Sequence, residues 1–283
     1  MSKTPPDLLL ADFQRALAEQ RLHMAYQPKV SVHDGSLTRF EALVRWDDPD
    51  RGAVDPQQFV ALAERHGLID ELTHWGLRTI LRQWVDWRAE GIDSCIAFNI
   101  SALSLQNLDF PDLVERMCAA LDVPPDRLVL ELTESSTQPL IKLMDTLTRF
   151  RIKGIGLAID DFGTGYSSLM QLRQLPFTEV KIDRAFVADI ERSRDCRLIV
   201  RSIAELAHGL GLTATAEGVE TLAQLELVKE LGCDLVQGYF ISPPLPGSEL
   251  GAWRERFRRS WPRLLAGGSG GDFEADALGE RQV

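Results

Sequence analysis

Short apolar segments typical of strands alternate with longer segments of helical periodicity along most of this chain. The predicted strands are residues 23–31, 37–46, 95–101, 127–133, 154–161, 178–183, 212–217 and 234–240. The predicted helices are residues 56–66, 70–90, 110–121, 138–151, 195–210 and 221–231. Strands and helices that alternate over roughly 250 residues indicate an α/β fold, a TIM-like (β/α)8 barrel. An open doubly wound sheet is the alternative, but no GxGxxG follows the first strand to support its dinucleotide-binding form.

The first two predicted strands are joined by too few residues to form a crossover helix. The connection is residues 32–36, and it contains Asp34-Gly35, a typical hairpin turn. We therefore expect these two strands to pair antiparallel, which gives a barrel with one antiparallel strand.

We predict one folded domain over residues 9–262, preceded by a disordered N-terminus, 1–8, and followed by a flexible Gly-rich tail, 263–283. The net charge of −11 argues against DNA or an acidic membrane surface as a partner. The four cysteines are widely spaced without a CxxC motif, as in reduced cytoplasmic proteins. No apolar run approaches the ~20 residues that span a bilayer. These features favour a cytoplasmic protein.

The predicted strand 154–161 ends in two adjacent carboxylates, Asp160 and Asp161. Adjacent like charges repel, and burying them is costly without compensation. One aspartate could cap the following loop, whereas two favour a bound cation. That loop, residues 162–165, contains two glycines, which permit a tight backbone next to a ligand.

Other predicted strands carry polar side chains with both a structural and a functional interpretation. Glu41 and Arg45 share one face of the second strand. They either form an internal ion pair, or Glu41 binds a metal and Arg45 binds the phosphate attached to it. Asn99 is either a turn residue or an amide ligand of a cation. Glu131 either caps the next helix or binds the cation. Lys181 is either a counter-charge or a group that orients a water or a phosphate.

A barrel brings the C-terminal ends of its strands to one face, where the active sites of this fold lie. The side chains expected to converge there are Glu41, Asn99, Glu131, Asp160, Asp161 and Glu217. Lys181 alone cannot neutralise five carboxylates, whereas two divalent cations fit both the charge and the oxygen ligands. Two such ions about 4 Å apart catalyse phosphate-ester hydrolysis in many enzymes.

Ordered motifs along the chain now identify a resemblance. They are YQPKV (26–30), EALVRW (41–46), FNIS (98–101), ELTES (131–135), DDFGTGYSSL (160–169), VKIDRAFV (180–187), TAEGVE (215–220) and QGYFISPPL (237–245). In these motifs the chain resembles the EAL domain family, bacterial cyclic di-GMP phosphodiesterases, over residues 9–262.

The resemblance implies a role for each matching residue. It implies metal ligation by Glu41, Asn99, Glu131, Asp160 and Asp161, with Glu217 assisting the second ion directly or through water. It implies that Lys181 holds the nucleophilic water and that Glu134 holds the loop after Asp161. The residues that it places around the substrate are Arg45, Gln237, Leu43, Asp183 and Glu220.

The resemblance also implies a reaction and partners. The expected reaction is hydrolysis of cyclic di-GMP to linear 5'-pGpG with two Mg²⁺ or Mn²⁺ ions, with Ca²⁺ as an inhibitor. A homodimer is expected through residues 162–200, and a GGDEF or sensory domain is possible in a longer parent protein. A receptor that binds the nucleotide without turnover, and a barrel enzyme for another phosphate ester, remain alternatives.

Overall fold

A computed structural model of the chain describes residues 6–19, 21–49, 51–133, 143–163 and 169–265. Its strands are β1 (Leu22–Ser31), β2 (Leu37–Asp48), β3 (Gly52–Val54), β4 (Cys95–Asn99), β5 (Leu128–Thr133), β6 (Gly156–Phe162), β7 (Glu179–Ile182), β8 (Thr213–Ala216), β9 (Leu235–Val236) and β10 (Leu245–Pro246). Its helices are α1 (Pro6–Ala18), α2 (Pro56–Arg65), α3 (Ile69–Ala89), α4 (Phe110–Ala120), α5 (Met144–Ile152), α6 (Leu169–Gln174), α7 (Arg184–Ala188), α8 (Arg194–Gly209), α9 (Leu222–Glu230) and α10 (Leu250–Leu265).

Within the described ranges, eight strands close into a ring in the order β1-β2-β4-β5-β6-β7-β8-β9. β1 pairs antiparallel with both β2 and β9, and the remaining pairs of the ring are parallel. The ring closes where Val30 pairs with Val236. The TIM-like barrel with one antiparallel strand is therefore confirmed, and the open-sheet alternative is excluded.

The hairpin between β1 and β2 forms as predicted. Gly35 has φ of 68°, a left-handed conformation that glycine adopts without strain, and its N–H donates to the Ser31 carbonyl at 3.0 Å. The Asp34 carboxylate accepts from the Ser36 N–H at 2.9 Å and stabilises the turn. The tight turn thereby sets the register that brings Glu41 of β2 opposite Gln27 of β1.

The helices pack on the outside of the barrel through apolar faces. On α3, Leu77, Ile80 and Trp84 follow helical spacing and are all buried in the main core. A smaller apolar cluster includes Phe13 of α1 and Phe59 of α2, whose ring centroids lie 5.8 Å apart. These contacts hold the outer layer that supports the strand ends.

Several element bounds differ from the predicted ones. α1 begins at Pro6 and α10 ends at Leu265, so helical structure extends slightly beyond the predicted domain limits of 9 and 262. β4 ends at Asn99, which leaves Ser101 beyond the strand. β9 is only Leu235–Val236, because the chain then turns through Gly238 instead of continuing to residue 240. Part of the predicted helix 138–151 lies outside the described residues.

The four cysteines are free thiols. Every helix in the described part of the chain is too short or too polar to serve as a transmembrane span.

Candidate active site

The C-terminal ends of the parallel strands bring three buried carboxylates together. Glu41 lies on β2, Glu131 on β5 and Asp160 on β6, and each residue is at most 8% exposed. The ladder fixes their relative heights, because Asn99 pairs with Glu131 and Thr133 pairs with Asp160. The convergence predicted from the strand ends is therefore present.

Lys181 of β7 lies at the centre of this cluster and is 1% exposed. Its Nζ contacts Glu217 Oε1 at 2.7 Å, Glu131 Oε2 at 2.8 Å, Asp160 Oδ1 at 3.0 Å and Glu41 Oε2 at 3.4 Å. Burial alone would lower the pKa of this ammonium, but the surrounding carboxylates, Glu131 foremost, raise the pKa well above its usual value. Lys181 is therefore the positive charge around which these carboxylates gather.

Glu41 is held in its ionised form. Burial tends to raise the pKa of the carboxyl, but Lys181 and Lys29 outweigh this effect and bring the pKa to about 2. Two amides add to the stabilisation, since Asn99 Nδ2 donates to Oε1 at 2.8 Å and Gln237 Nε2 donates to Oε2 at 2.7 Å. A fixed, ionised carboxylate is what a cation ligand requires.

Gln237 reaches Glu41 from the loop that follows β9. Its Nε2 also lies 2.9 Å from Gln27 Oε1 of β1, and Gln27 Nε2 donates to the Ser242 carbonyl at 3.0 Å. The loop and the reversed strand therefore orient the same carboxylate.

An irregularity in β6 explains how two successive aspartates reach one site. Side chains normally alternate between the faces of a strand. Here the register with β7 shifts between Ile159 and Phe162, and Asp161 has φ of 54°. Aspartate tolerates this left-handed conformation better than most residues do. The Asp161 N–H donates to Asp160 Oδ1 at 2.9 Å, so the pair is locked at the mouth of the barrel.

Three carboxyls of the cluster hold protons more strongly than usual. Burial and the charge of Glu41 raise the pKa of Glu131 despite the opposing charges of Lys181 and Lys29. Burial, together with Asp160 and Glu41, raises the pKa of Glu217 to about 8 despite the opposing charge of Lys181. Burial, the charge of Asp160 and a hydrogen bond with Asp183 raise the pKa of Asp161 to about 6. The site thus carries more negative charge than its lysines neutralise.

The described carboxylates form two groups whose ligand atoms lie within 4.8 Å of one another. One group is Glu41, Glu131 and Asp160, and the other is Asp160, Asp161 and Glu217. Asp160 belongs to both. Carboxylate oxygens suit hard divalent cations, and a cation would relieve the repulsion that raises the pKa values of Glu217 and Asp161. The residues present therefore fit two adjacent ions that share Asp160.

A second group of charged residues lies within the barrel, and none of its additional members was predicted as a site residue. Lys29 of β1 is 0% exposed, and its Nζ lies 2.5 Å from Glu131 Oε1 and 3.4 Å from Glu179 Oε1. Glu179 also accepts from Thr215 Oγ1 at 2.6 Å and pairs with Arg39. Lys29 is a charged residue inside the otherwise apolar segment YQPKV, and that position could have indicated a buried ion pair. The candidate residues were instead taken from the ends of the strands.

A cavity of about 530 Å³ meets the cluster at Asn99, the hydrogen-bond partner of Glu41, although Lys181 and the carboxylates of the cluster do not line it. Its walls include Leu43, Arg45 and Asn99 from the barrel and Trp75 from α3. Arg45 Nη1 donates to the Val44 carbonyl at 2.9 Å. Two predicted substrate residues, Leu43 and Arg45, thus line the same cavity as Asn99.

The other predicted residues occupy different positions. The Asp183 carboxylate caps α7 by accepting from the Ala185 N–H at 2.8 Å, and it also contacts Asp161. Glu220 is exposed on the loop after β8, where its N–H donates to Gln224 Oε1 at 2.7 Å. Glu134 lies outside the described residues.

Curated relatives resemble this chain over most of its length. MucR of Pseudomonas aeruginosa, a bifunctional diguanylate cyclase/cyclic di-GMP phosphodiesterase, is 40% identical over 244 residues, covering 86% of this chain and 36% of MucR. The cyclic di-GMP phosphodiesterase NbdA of the same organism is 38% identical over 252 residues, covering 88% of this chain and 32% of NbdA. The chain thus spans about a third of the length of these relatives.

Solved structures resemble this chain in both fold and sequence. The PaMucR phosphodiesterase in complex with c-di-GMP superposes with a TM-score of 0.81 at 40% identity, covering 86% of this chain and 99% of that one. The cAMP-bound form of the EAL enzyme Bd1971 superposes with a TM-score of 0.79 at 30% identity, covering 87% and 70%. The EAL domain also matches residues 10–244 in a comparison with protein families. This chain belongs to the EAL domain family.

Proposed function

We propose that this chain hydrolyses cyclic di-GMP to linear 5'-pGpG and so lowers the level of a bacterial second messenger. The observation that carries the proposal is the pair of carboxylate groups that share Asp160 around the buried Lys181. The relatives named for cyclic di-GMP hydrolysis, and the related structure in complex with c-di-GMP, support the choice of substrate.

We propose that two divalent cations bind at these groups. Glu41, Glu131 and Asp160, with the Asn99 amide, would hold the first ion. Asp160 and Asp161 would hold the second ion, with Glu217 acting directly or through water. Such ions, when bound, supply a water of lowered pKa and neutralise charge on the phosphate.

The residues of the chain orient the reacting groups. The Lys181 ammonium donates to the nucleophilic water and keeps it among the carboxylates, whose charges raise the pKa of the ammonium. Gln237 fixes Glu41 through one oxygen. Arg45, at the wall of the cavity, binds a phosphate oxygen of the substrate, since a guanidinium matches that geometry.

We propose Mg²⁺ or Mn²⁺ as the working ions and Ca²⁺ as an inhibitor. Mg²⁺ binds at about 2.0–2.1 Å in near-octahedral geometry, whereas Ca²⁺ prefers longer bonds of about 2.3–2.6 Å and more ligands. The cluster is held rigidly by buried hydrogen bonds and ion pairs, which favours the smaller ion.

We infer that the domain forms a homodimer through the segment 162–200. Helix α8 exposes Leu198 by 64%, and Ile199 beside it is 36% exposed. Burial of these side chains against a second copy would stabilise the dimer. Light scattering after gel filtration tests this inference: wild type should have the mass of a dimer and Leu198→Asp that of a monomer. Equal masses for the two proteins would contradict it.

A parent protein with further domains is also proposed. The curated relatives are about three times as long as their match to this chain, and MucR is named for two activities. A GGDEF or sensory domain is the expected neighbour, and the free thiols favour action in the cytoplasm.

Incubation with cyclic di-GMP and Mg²⁺ or Mn²⁺, followed by chromatography, tests the proposed reaction. The expected product is linear pGpG, formed only when the metal is present. Tight binding of the dinucleotide without product would instead identify a receptor. Equal turnover of unrelated phosphate diesters would indicate a different substrate.

A further inference from the structure

Glu131 is held by two lysines, one at each carboxylate oxygen. Lys29 Nζ lies 2.5 Å from Oε1, and Lys181 Nζ lies 2.8 Å from Oε2. All three side chains are at most 1% exposed. Glu131 therefore has no freedom to rotate without breaking a buried ion pair, which is costly in an interior of low polarity.

The two lysines differ in what else they contact. Lys181 also contacts Glu217, Asp160 and Glu41, which all belong to the carboxylate groups at the mouth. The other contact of Lys29 is Glu179, deeper in the barrel and outside both groups. Lys29 therefore connects one candidate metal ligand to the barrel interior.

Glu179 is itself firmly anchored. It is 0% exposed, accepts from Thr215 Oγ1 at 2.6 Å and pairs with Arg39 of β2. Removal of the Lys29 charge would therefore leave Glu179 with its other partners. Glu131 would then depend on Lys181, whose ammonium is shared with three further carboxylates. The two buried acids thus respond differently to the loss of Lys29.

We propose that Lys29 is a positioning residue for the first cation. It holds Glu131 through Oε1, so that Oε2 stays at Lys181, whose ammonium also contacts Glu41 and Asp160. The inference rests on the proposed function in one respect, that the carboxylate groups bind divalent cations. Partners that orient a metal ligand typically contribute about 10- to 100-fold to metal affinity or activity.

Direct Mn²⁺ binding tests the proposal without requiring catalysis. The electron paramagnetic resonance signal of free Mn²⁺ reports the dissociation constant for wild type and for Lys29→Met, a neutral side chain of similar length. The dissociation constant of the variant should be about 10- to 100-fold higher. An unchanged dissociation constant would overturn the proposal.

Turnover separates positioning from catalysis. Lys29→Met should reach the wild-type kcat once Mn²⁺ is saturating, whereas Lys181→Met should stay inactive at every Mn²⁺ concentration. A kcat of Lys29→Met that stays low at saturating Mn²⁺ would contradict a role confined to holding Glu131.

A stability control excludes a general effect of a damaged interior. Leu77 lies on α3, which packs outside the barrel, and is 0% exposed in the main core, so Leu77→Ala should lower Tm through a cavity. Its dissociation constant for Mn²⁺ should match wild type. A rise equal to that of Lys29→Met would show that lost stability alone weakens the site and would overturn the proposal.

A second variant decides the question if Lys29→Met does not fold. Glu179→Gln keeps Lys29 but weakens its anchor, so the dissociation constant for Mn²⁺ should rise by a smaller factor. An unchanged value would then overturn the proposal. Wild-type protein that binds Mn²⁺ but yields no pGpG would refute the proposed function while leaving the comparison of dissociation constants intact. Wild-type protein that binds no Mn²⁺ would refute both.

Discussion

At the scale of the residue, Glu41 is held at both carboxylate oxygens, by Asn99 on one and by Gln237 and Lys181 on the other. We expect Glu41→Ala to lower kcat/KM with Mn²⁺ by more than about 100-fold, since loss of even an indirect partner of a metal costs about 10- to 100-fold. Glu226→Ala, a change at an exposed carboxylate on α9, is the matched control and should keep wild-type activity. Retained activity in Glu41→Ala would remove Glu41 from the metal ligands.

The raised pKa values of Glu217, about 8, and Asp161, about 6, make metal binding depend on pH. A cation must displace these protons, so acid competes with the metal. We expect the Mn²⁺ dissociation constant to fall as pH rises from about 6 to about 8 and then to level off. Titration of Mn²⁺ across this range measures the effect, and a dissociation constant independent of pH would contradict it.

The raised pKa of Glu217 should also make the stability of the metal-free protein fall as pH rises. A carboxyl whose folded-state pKa is raised stabilises the metal-free fold below its unfolded pKa, and that contribution is lost as pH rises through the folded pKa. For Glu217 this window extends from the ordinary pKa of a glutamate, 4.5, to about 8. The Tm of metal-free protein should fall across that window, and the increase in Tm caused by Mn²⁺ should grow. If Mn²⁺ raised Tm by the same amount at every pH, this expectation would be contradicted.

At the scale of the element, the connections after β8 and β9 pack unusually closely. A Cβ added at Gly238 would lie 2.1 Å from the Val219 carbonyl oxygen and 2.3 Å from its nitrogen, both of which are backbone atoms. These connections adjoin Glu217 and Gln237, so Gly238→Ala should separate the two side chains. We expect a lower Tm and weaker Mn²⁺ binding, measured by thermal melting and metal titration.

Gly209 at the end of α8 provides the matched control. A Cβ there meets no atom within 4 Å, and alanine favours the helix more than glycine does. Gly209→Ala should therefore keep the Tm and the Mn²⁺ affinity of wild type or raise the Tm slightly. If both alanine variants behaved alike, the close packing at Gly238 would have no role in the site.

The strand ends show how far sequence could predict the elements that carry the site. Parity along β2 and the acidic end of β6 correctly predicted that Glu41, Asp160 and Asp161 converge. The shift in register that turns Asp161 inward could not be predicted, because it depends on pairing with β7. The length of β9 was overestimated, since the close approach at Gly238 is a tertiary effect.

At the scale of the whole molecule, the barrel was predictable because alternating strands and helices with a short hairpin leave few topologies. The second group of charged residues within the barrel was not predictable in this way. Lys29 and Glu179 are 150 positions apart and meet only in the closed barrel, so neither suggests the other from local sequence. Arg39 likewise meets its partner, Glu179, only in the folded barrel. Local sequence patterns thus indicated the candidate metal ligands, whereas the buried ion pairs that orient these ligands form only when the barrel closes.

Closure also has a consequence during protein synthesis. The ring is completed by pairing Val30 with Val236, so a ribosome must extend the chain across this interval, on the order of tens of seconds, before the barrel can close. Until then β1 lacks its pairing with β9, and we expect the acidic ligands to be open to water. Stalled nascent chains exposed only through Glu230 should be digested by protease with or without Mn²⁺, whereas chains exposed through α10 should gain protection from Mn²⁺. Protection of the shorter chains would show that the metal assembles the site before the ring is complete. Because the antiparallel first strand pairs with the last strand of the ring, the barrel closes only after β9 has been synthesised. The site can therefore retain a metal only at that late stage.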